Sequence, residues 1–369
     1  MPSCDFRAMG LTVRAFDCPP RAGRVLRRLL GADRPHQGFA DVRVRFVEKI
    51  DWSSARRFAG TDTFWDGRYL GIRQPGGWLG VPFGDPNEHS FKLICERGVR
   101  GLPILRSILQ VQAVRKGYLP VHGSAFAYKG RGFIATGWPR AAKTGMALAA
   151  MNGGGALIAA EQASIDPESL LLHNATEPIQ ARPWHVRHLE SDRHVVGSAT
   201  RTRLLLVDRL LQLAARFGAE RGPLARLYAA TARRNFAEVS AERLTYASPT
   251  TPLTAIICVI GTSGVPESVA RSPLGLAEER LILLFESEIA QLSSHYRQYQ
   301  FLVPGEGRSL IDDARTRYQL VVSRVLQQVP CYEVLHAKVP AFPDLLRVID
   351  AIADRRPGAD EAAGVPGPR

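Results

Sequence analysis

The feature that most constrains this chain is the segment 129–161, which has the pattern of a strand, a loop and a helix. It opens with the turn KGRG, which is typical of a hairpin, and the apolar run 133–136 then has the length of a short strand. The loop GWPRAAKT follows and leads into an Ala-rich segment typical of a buried helix. A strand followed by such a loop and a helix predicts a site that binds phosphate groups at the helix N-terminus.

The loop partly matches the pattern G-x-x-x-x-G-K-[ST], in which backbone N–H groups and the Lys hold phosphates and the hydroxyl holds Mg²⁺. Gly137, Lys143 and Thr144 fit, whereas Ala142 occupies the place of the second glycine. A positive φ at Ala142 would cost about 1–2 kcal/mol, and Arg140 offers a compensating guanidinium. These five residues form the predicted nucleotide site, with ATP or another nucleoside triphosphate and Mg²⁺ as cofactors.

Composition sets the protein class. With 369 residues, 45% of them hydrophobic and 22% charged, the chain is expected to form a globular protein of one or two domains. We expect no membrane span, because no apolar stretch approaches the ~18 residues that one needs. The N-terminus has no apolar signal core, and the scattered cysteines contain no C-x-x-C pair, so reduced thiols and a cytoplasmic location are predicted.

The positive charge does not by itself indicate nucleic-acid binding. The formal net charge is +13 and arises almost entirely from arginine, since the chain has six lysines. The arginines are spread along the chain, without a basic tail or a patch interleaved with aromatic residues. Nucleic acid is therefore not a predicted partner. Lys143, one of the few lysines, stands at the phosphate-loop position.

Periodicity divides the remaining chain. Alternating apolar residues predict strands in 1–100, with one short basic helix within 19–37. Helical patterns are expected at 101–117, 201–217, 222–234, 276–299, 309–328 and 342–353, and strands at 119–128 and 254–260. The predicted organisation is a β-rich lobe at 1–100, a nucleotide-binding domain at 101–355 and a Pro/Gly-rich disordered tail at 356–369. A metal site at His185, His188 and His194 is not favoured, because no further ligand has suitable spacing.

The order of these motifs is similar to that of the HPr kinase/phosphorylase-like family, which shares its nucleotide-binding fold with phosphoenolpyruvate carboxykinase. A helix ending in Gly117 precedes LPVHGSA at 119–125, the hairpin, the loop and GGGALIAAE at 153–161. The resemblance is specific over 101–168 and loose over 40–350. It implies an α/β fold with an HPr kinase-type P-loop core, a degenerate Walker A loop and an N-terminal β-rich lobe.

The resemblance also implies site residues. The family's histidine before the hairpin corresponds to His122, and its acidic pair corresponds to Ala160 and Glu161. The first acid of that pair, which is associated with activating the attacking hydroxyl and with metal, is therefore missing. Glu161 remains as a Mg²⁺ ligand beside Thr144, and Asp166 is the nearest carboxylate that offers a substitute. The predicted catalytic residues are His122, Glu161 and Asp166.

Two functions from different classes follow. The first is nucleotide-dependent phosphorylation of a hydroxyl on a small molecule, a peptide or a protein serine, as implied by Lys143, Thr144 and His122. The second is a pseudokinase, a catalytically inactive kinase-like protein that binds nucleotide or acts as a scaffold accessory to a biosynthetic enzyme. Ala142 and Ala160 support this second function. The acceptor and the oligomeric state stay open.

Overall fold

The chain is described by a computed structural model at residues 3–33, 35–58, 63–83, 90–174, 178–188, 196–219, 225–239, 251–262, 268–304, 310–337 and 341–355. These segments contain both strands and helices, which confirms the expected α/β class. The predicted tail at 356–369 and His194 lie outside the described residues.

A mixed sheet forms the N-terminal part. Its elements in chain order are β1 (Cys4–Ala8), β2 (Leu11–Phe16), α1 (Pro20–Leu30), β3 (Val42–Val47), β4 (Arg56–Arg57), β5 (Thr63–Trp65), β6 (Leu70–Gln74), β7 (Gly77–Val81) and β8 (Phe91–Glu96). The strand order is β1-β2-β3-β8-β7-β6-β5-β4, and β2, β3 and β8 run parallel. The predicted β-rich character of this region is confirmed, as is its short helix, which begins with a proline in the first turn and buries Leu26 and Leu30.

The following segment contains α2 (Pro103–Arg115), β9 (Leu119–Tyr128), β10 (Arg131–Thr136), α3 (Lys143–Asn152), β11 (Ala156–Ala159), β12 (Gln162–Ile165) and β13 (Leu172–Asn174). The helix predicted at 101–117 is α2, which ends before Gly117 at φ +89°. The predicted strand at 119–128 is β9, with the same bounds. The chain therefore follows the predicted order of strand, hairpin, strand, loop and helix.

The rest of the chain contains β14 (Ile179–Ala181), α4 (Pro183–His188), α5 (Ser198–Arg216), α6 (Ala225–Arg234), β15 (Ala237–Val239), β16 (Leu253–Thr262), β17 (Ser268–Arg271), α7 (Leu274–Leu302), α8 (Leu310–Leu326), β18 (Cys331–Ala337) and α9 (Phe342–Ala353). Each helix predicted here is present. In α5, however, the apolar stripe is largely exposed: Leu204 is buried, whereas Leu210 and Leu213 are 57% and 51% exposed.

The second large sheet has the order β13-β12-β9-β10-β16-β18-β17, with β11 pairing onto β9. Strands β10, β16 and β18 run parallel, so their C-terminal ends lie at one edge of the sheet. Loops at this edge are the usual position of ligand sites in α/β proteins. The loop between β10 and α3 begins at this edge.

The two large sheets share one hydrophobic core. Phe6 and Leu26 from the N-terminal part belong to the same buried cluster as Ile134 of β10 and Leu281 of α7. Helix α2 lies at this junction and packs on both α7 and β9. All five cysteines are described and are free thiols. Among the described helices, none combines the length and the apolar character that crossing a membrane requires.

Candidate functional site

The loop between β10 and α3 has a backbone that its sequence partly explains. Gly137 has φ +143°, and a Cβ on it would lie 2.3 Å from the carbonyl oxygen of Val259 on the neighbouring β16. Only glycine fits such an approach of two backbones. At the other end of the loop, the imidazole Nε2 of His336 on β18 donates to the carbonyl of Ala141 over 3.2 Å. The loop is thus held by both parallel strands that follow β10 in the sheet.

Two non-glycine residues of the loop adopt left-handed backbone conformations. Ala142 has φ +61° and precedes the first residue of α3, and Arg140 has φ +70°. The positive φ considered for Ala142 is therefore present, and each residue carries a strain of about 1–2 kcal/mol. Strain of this kind persists where the surrounding structure enforces it, and it is concentrated at functional sites.

Lys143 lies inside the loop. Its side chain is buried, with 9% of the residue exposed, and Nζ donates to the carbonyls of Gly137 at 2.7 Å and Trp138 at 3.1 Å. Burial lowers the pKa of Lys143 to about 8, although the nearby carboxylates of Glu288 and Glu161 raise it. The amine is therefore mostly protonated at neutral pH. It has three N–H donors, of which these two carbonyls engage two.

More positive charge surrounds the loop. Burial lowers the pKa of the Arg182 guanidinium, and the cation of Arg140 lowers it further, which places these two arginines near each other. The N-terminus of α3 adds the partial positive charge of a helix dipole. Arg140, Arg182 and Lys143 together make this end of the helix favourable for an anion.

Thr144 and Glu161 are the predicted Mg²⁺ ligands. Thr144 is the second residue of α3 and is partly buried, and Glu161 connects β11 to β12. In the described part of the chain, no cluster of three or more His, Cys, Asp or Glu side chains has the arrangement of a metal site. Such a cluster is not required for Mg²⁺ at a nucleotide, which binds through one or two carboxylates together with phosphate oxygens and water. The two residues fit that ligand set.

His122 lies on β9 directly opposite Gln162 of β12. Its Nδ1 accepts a hydrogen bond from Gln162 Nε2 at 3.1 Å, which places the imidazole proton on Nε2. Burial lowers the pKa of His122 to about 3, and the cations of Lys143 and Arg106 contribute to that shift. His122 is consequently a neutral imidazole at pH 7. It lies in the same charged environment as the loop lysine.

The acidic-pair positions differ from each other in chemistry. Ala160 is 1% exposed, and its carbonyl accepts from the hydroxyl of Ser124 at 2.6 Å, so this position is an apolar part of the core. Glu161 is partly exposed, and its Oε2 lies 3.5 Å from Arg106 Nη1. Since Glu161 also raises the pKa of Lys143, it lies on the loop side of β12. The structure therefore brings His122, Lys143 and Glu161 together.

Asp166 lies away from this group. It follows Ile165, which pairs with Leu119 at the opposite end of β12 from the pair Gln162 and His122. Three further residues along a strand correspond to about 10 Å. The Asp166 carboxylate instead accepts from Ser169 Oγ at 2.7 Å and from the backbone N–H of Glu168 at 3.0 Å. It stabilises its own turn, and the structure does not bring it to the loop.

Glu288 on α7 is a carboxylate that the sequence reasoning missed. Its Oε2 accepts from Gln162 Nε2 at 3.2 Å and lies 3.6 Å from His122 Nδ1. Burial raises the pKa of Glu288 despite the lowering by Gln162 and by the cations of Lys143 and Arg106. The sequence did contain one indication of it. An acidic residue at 288 is unusual because it falls among positions 281, 285, 289 and 292, which form the buried face of this helix.

An amide network fixes these groups. Gln110 of α2 donates from Nε2 to Gln162 Oε1, and Gln162 in turn donates to both His122 and Glu288. The backbone carbonyl of Glu288 accepts from Ser107 Oγ at 2.8 Å, which attaches α7 to α2 at this level. Buried polar groups that satisfy one another in this way are held rigidly.

A cavity of about 320 Å³ lies beside the loop. It is lined by Gly137, Trp138, Arg140, Val259, Arg280 and Leu284, among others. Arg280, Leu284 and Glu288 are spaced by four residues, so they lie on the same face of α7. That face of the helix therefore extends from the cavity to the carboxylate beside His122.

No family model matches this chain, and no curated protein matches it.

Proposed function

We propose that this protein binds a nucleoside triphosphate with Mg²⁺ at the loop 137–144 and transfers its terminal phosphoryl group to a hydroxyl. The acceptor is a small molecule, a peptide or a protein serine. The proposal includes an HPr kinase/phosphoenolpyruvate carboxykinase-like P-loop core for 101–355, preceded by the β-rich lobe 1–100. The observation that carries it is the buried, protonated Lys143, which lies within a loop at the N-terminus of α3.

Each residue of the site has a role in that reaction. Bound Mg²⁺·ATP supplies a phosphoryl group whose negative charge must be neutralised for transfer. Lys143 and Arg140 provide positive charge at the loop, and the first N–H groups of α3 provide hydrogen-bond donors. Thr144 and Glu161 hold the metal. The neutral His122 orients the acceptor through its Nε2–H.

The cavity beside the loop is suited to the base of the nucleotide. Its volume of about 320 Å³ lies within the range of small-molecule sites, roughly 300–1,000 Å³. Trp138, which is 61% exposed, and Leu284 are among the residues that line the cavity. Aromatic rings with apolar neighbours are the usual lining for a planar base.

A second candidate function is nucleotide binding without phosphoryl transfer, as an accessory or scaffold protein. Two observations favour it. Ala142 is strained at φ +61° where glycine relieves strain, and Ala160 is a buried methyl group without acid–base chemistry. Both weaken catalysis more than they weaken the charge complementarity between the loop and a phosphate.

The experiment that tests the proposal is ATP titration by calorimetry, with and without Mg²⁺, on the parent and on Lys143→Met. We expect binding by the parent and at least a tenfold lower affinity in the variant, because the buried cation at the loop is lost. Lys129→Met is the matched control: it removes an exposed lysine from the hairpin ahead of the same loop. Equal ATP affinity in the parent and in Lys143→Met contradicts the proposed site, and ATP turnover separates the two candidates.

A further inference from the structure

We propose that Glu288 on α7 is the general base of this site and accepts the proton of the acceptor hydroxyl during transfer. This inference rests on the proposed function. It assigns the role to a helix that lies more than a hundred residues beyond the loop in the chain, and it replaces the sequence-based candidates Glu161 and Asp166.

The position of Glu288 is the first reason. Its Oε2 lies 3.6 Å from His122 Nδ1 and 3.2 Å from Gln162 Nε2, so the carboxylate shares one pocket with the neutral imidazole. Its charge also affects Lys143, as does that of Glu161. A base for phosphoryl transfer must lie near the phosphates without binding them. A carboxylate near the loop lysine and beside His122 meets that requirement.

The second reason is that the other two candidate carboxylates already bind other groups of the protein. Asp166 accepts two hydrogen bonds within its own turn at the far end of β12. Glu161 has its Oε2 3.5 Å from the Arg106 guanidinium, so this carboxylate is engaged in an ion pair. The side chain of Glu288 instead meets an amide donor and a neutral ring. These contacts hold the carboxylate beside the imidazole.

Burial outweighs the cations that face this carboxylate. The groups that face Glu288 are the cations Lys143 and Arg106, the carboxylate Glu161 and the imidazole His122. Burial raises the pKa of the Glu288 carboxyl above its ordinary value. A higher pKa brings a carboxylate closer to the operating pH and makes it a better base.

Phosphoryl transfer at this site forms one bond to phosphorus and breaks one. The acceptor oxygen forms a bond to the γ-phosphorus, and the bond from that phosphorus to the β–γ bridging oxygen breaks. The hydroxyl proton passes to Glu288 Oε2, and the bond electrons leave with the nucleoside diphosphate. Water in place of the acceptor hydroxyl gives hydrolysis by the same step. Gln162 acts as a positioning residue, because its amide holds the carboxylate and the imidazole in fixed places.

The test uses the full chain with Mg²⁺·ATP as the probe and water as the acceptor. We compare Glu288→Gln, Glu288→Asp and, as a matched control, Glu286→Gln on the same helix, where the carboxylate pairs with Arg315 at 3.2 Å. Glu288→Gln should lower the hydrolysis rate by about 10²–10⁴-fold and leave the ATP affinity within about threefold of the parent. Glu288→Asp should recover part of the rate, and Glu286→Gln should match the parent.

Each outcome decides the assignment. Parental turnover in Glu288→Gln overturns it, as does a Glu288→Asp variant no faster than Glu288→Gln. If the parent binds ATP but hydrolyses none, the base assignment fails while nucleotide binding stands. If the parent binds no ATP, the proposed function itself fails. The parent hydrolysis rate should also fall as pH is lowered, until it equals the rate of Glu288→Gln. That convergence, with ATP affinity unchanged, supports proton acceptance at Glu288.

Discussion

The ammonium of Lys143 donates a 2.7 Å hydrogen bond to the carbonyl oxygen of Gly137, so the residue at the end of the loop holds the residue that opens it. The loop is thereby closed around its own cation. Charge and backbone strain are both concentrated in these few residues, and four predictions follow from their geometry and from that of His122.

Ala142→Gly should relieve the loop. The change removes about 1–2 kcal/mol of left-handed strain and costs about 0.5–1 kcal/mol of chain entropy, so the free energy of unfolding should rise by up to about 1.5 kcal/mol. Nucleotide affinity should increase roughly tenfold, because the backbone N–H can approach the phosphate more closely. Chemical denaturation and calorimetry measure the two effects. Ala147→Gly inside α3 is the control and should destabilise the fold by about 1 kcal/mol or more.

Gly137→Ala should damage the loop by a steric clash. The added Cβ would lie 2.3 Å from the Val259 carbonyl oxygen, and φ at this position is +143°. Gly154→Ala is the matched control, since Gly154 has φ +88° and no atom within 4 Å of an added Cβ. Gly154→Ala should lower the free energy of unfolding by no more than ~1–2 kcal/mol, the cost of the backbone strain. Gly137→Ala should lower it by more. Similar unfolding free energies for the two variants would contradict the close approach of β16.

Lys143→Met should change how stability depends on alkaline pH. Burial lowers the pKa of Lys143 from its ordinary 10.5 to about 8, so the unfolded chain binds more protons here between these values. The parent's free energy of unfolding should therefore gain a contribution as pH rises from about 8 to 10.5, and the variant should lack it. Denaturant unfolding at several pH values measures the difference. Lys129→Met should show the same increase in the free energy of unfolding with pH as the parent. If the increase is absent from Lys129→Met, Lys143 is not its source.

His122 should stay neutral well into the acid range. Its pKa is lowered from 6.5 to about 3, so the unfolded chain binds the proton first and the parent should lose stability as pH falls through that interval. Between pH 6.5 and 5, before most carboxylates titrate, His122→Gln should lose less stability than the parent. Nitrogen NMR of the parent at pH 7 should show a neutral ring with its proton on Nε2, because Nδ1 accepts from Gln162. A charged ring at pH 6 would contradict the assigned environment.

The elements around the loop were predictable because their signals are local. The bounds 119–128 of β9 and 342–353 of α9 match the structure, since turn residues and proline mark their ends and their apolar residues repeat with the period of the element. Lys143 and Gly137 were identified for the same reason. Their proposed roles in binding phosphate depend on the backbone conformation of eight consecutive residues.

The side chains that meet across the sheet were less predictable. Asp166 is five residues from Glu161 in the sequence, yet the strand between them carries it to the other end of β12. The helix predicted at 201–217 is present as α5, but Leu210 and Leu213 on its apolar stripe are more than half exposed. Periodicity indicates that a helix has an apolar face and does not specify what covers that face.

What the sequence by itself determined is the local order of elements: the strand, the turn at Gly137, the loop with its lysine and the helix that follows it. Only the tertiary structure decided which carboxylate accompanies His122. Glu288 reaches it because Ser107 of α2 binds the backbone of α7 at this level and because β12 places Gln162 opposite His122. These contacts join residues far apart in the chain. Their register depends on how whole helices and strands pack, and no local pattern of residues encodes that packing.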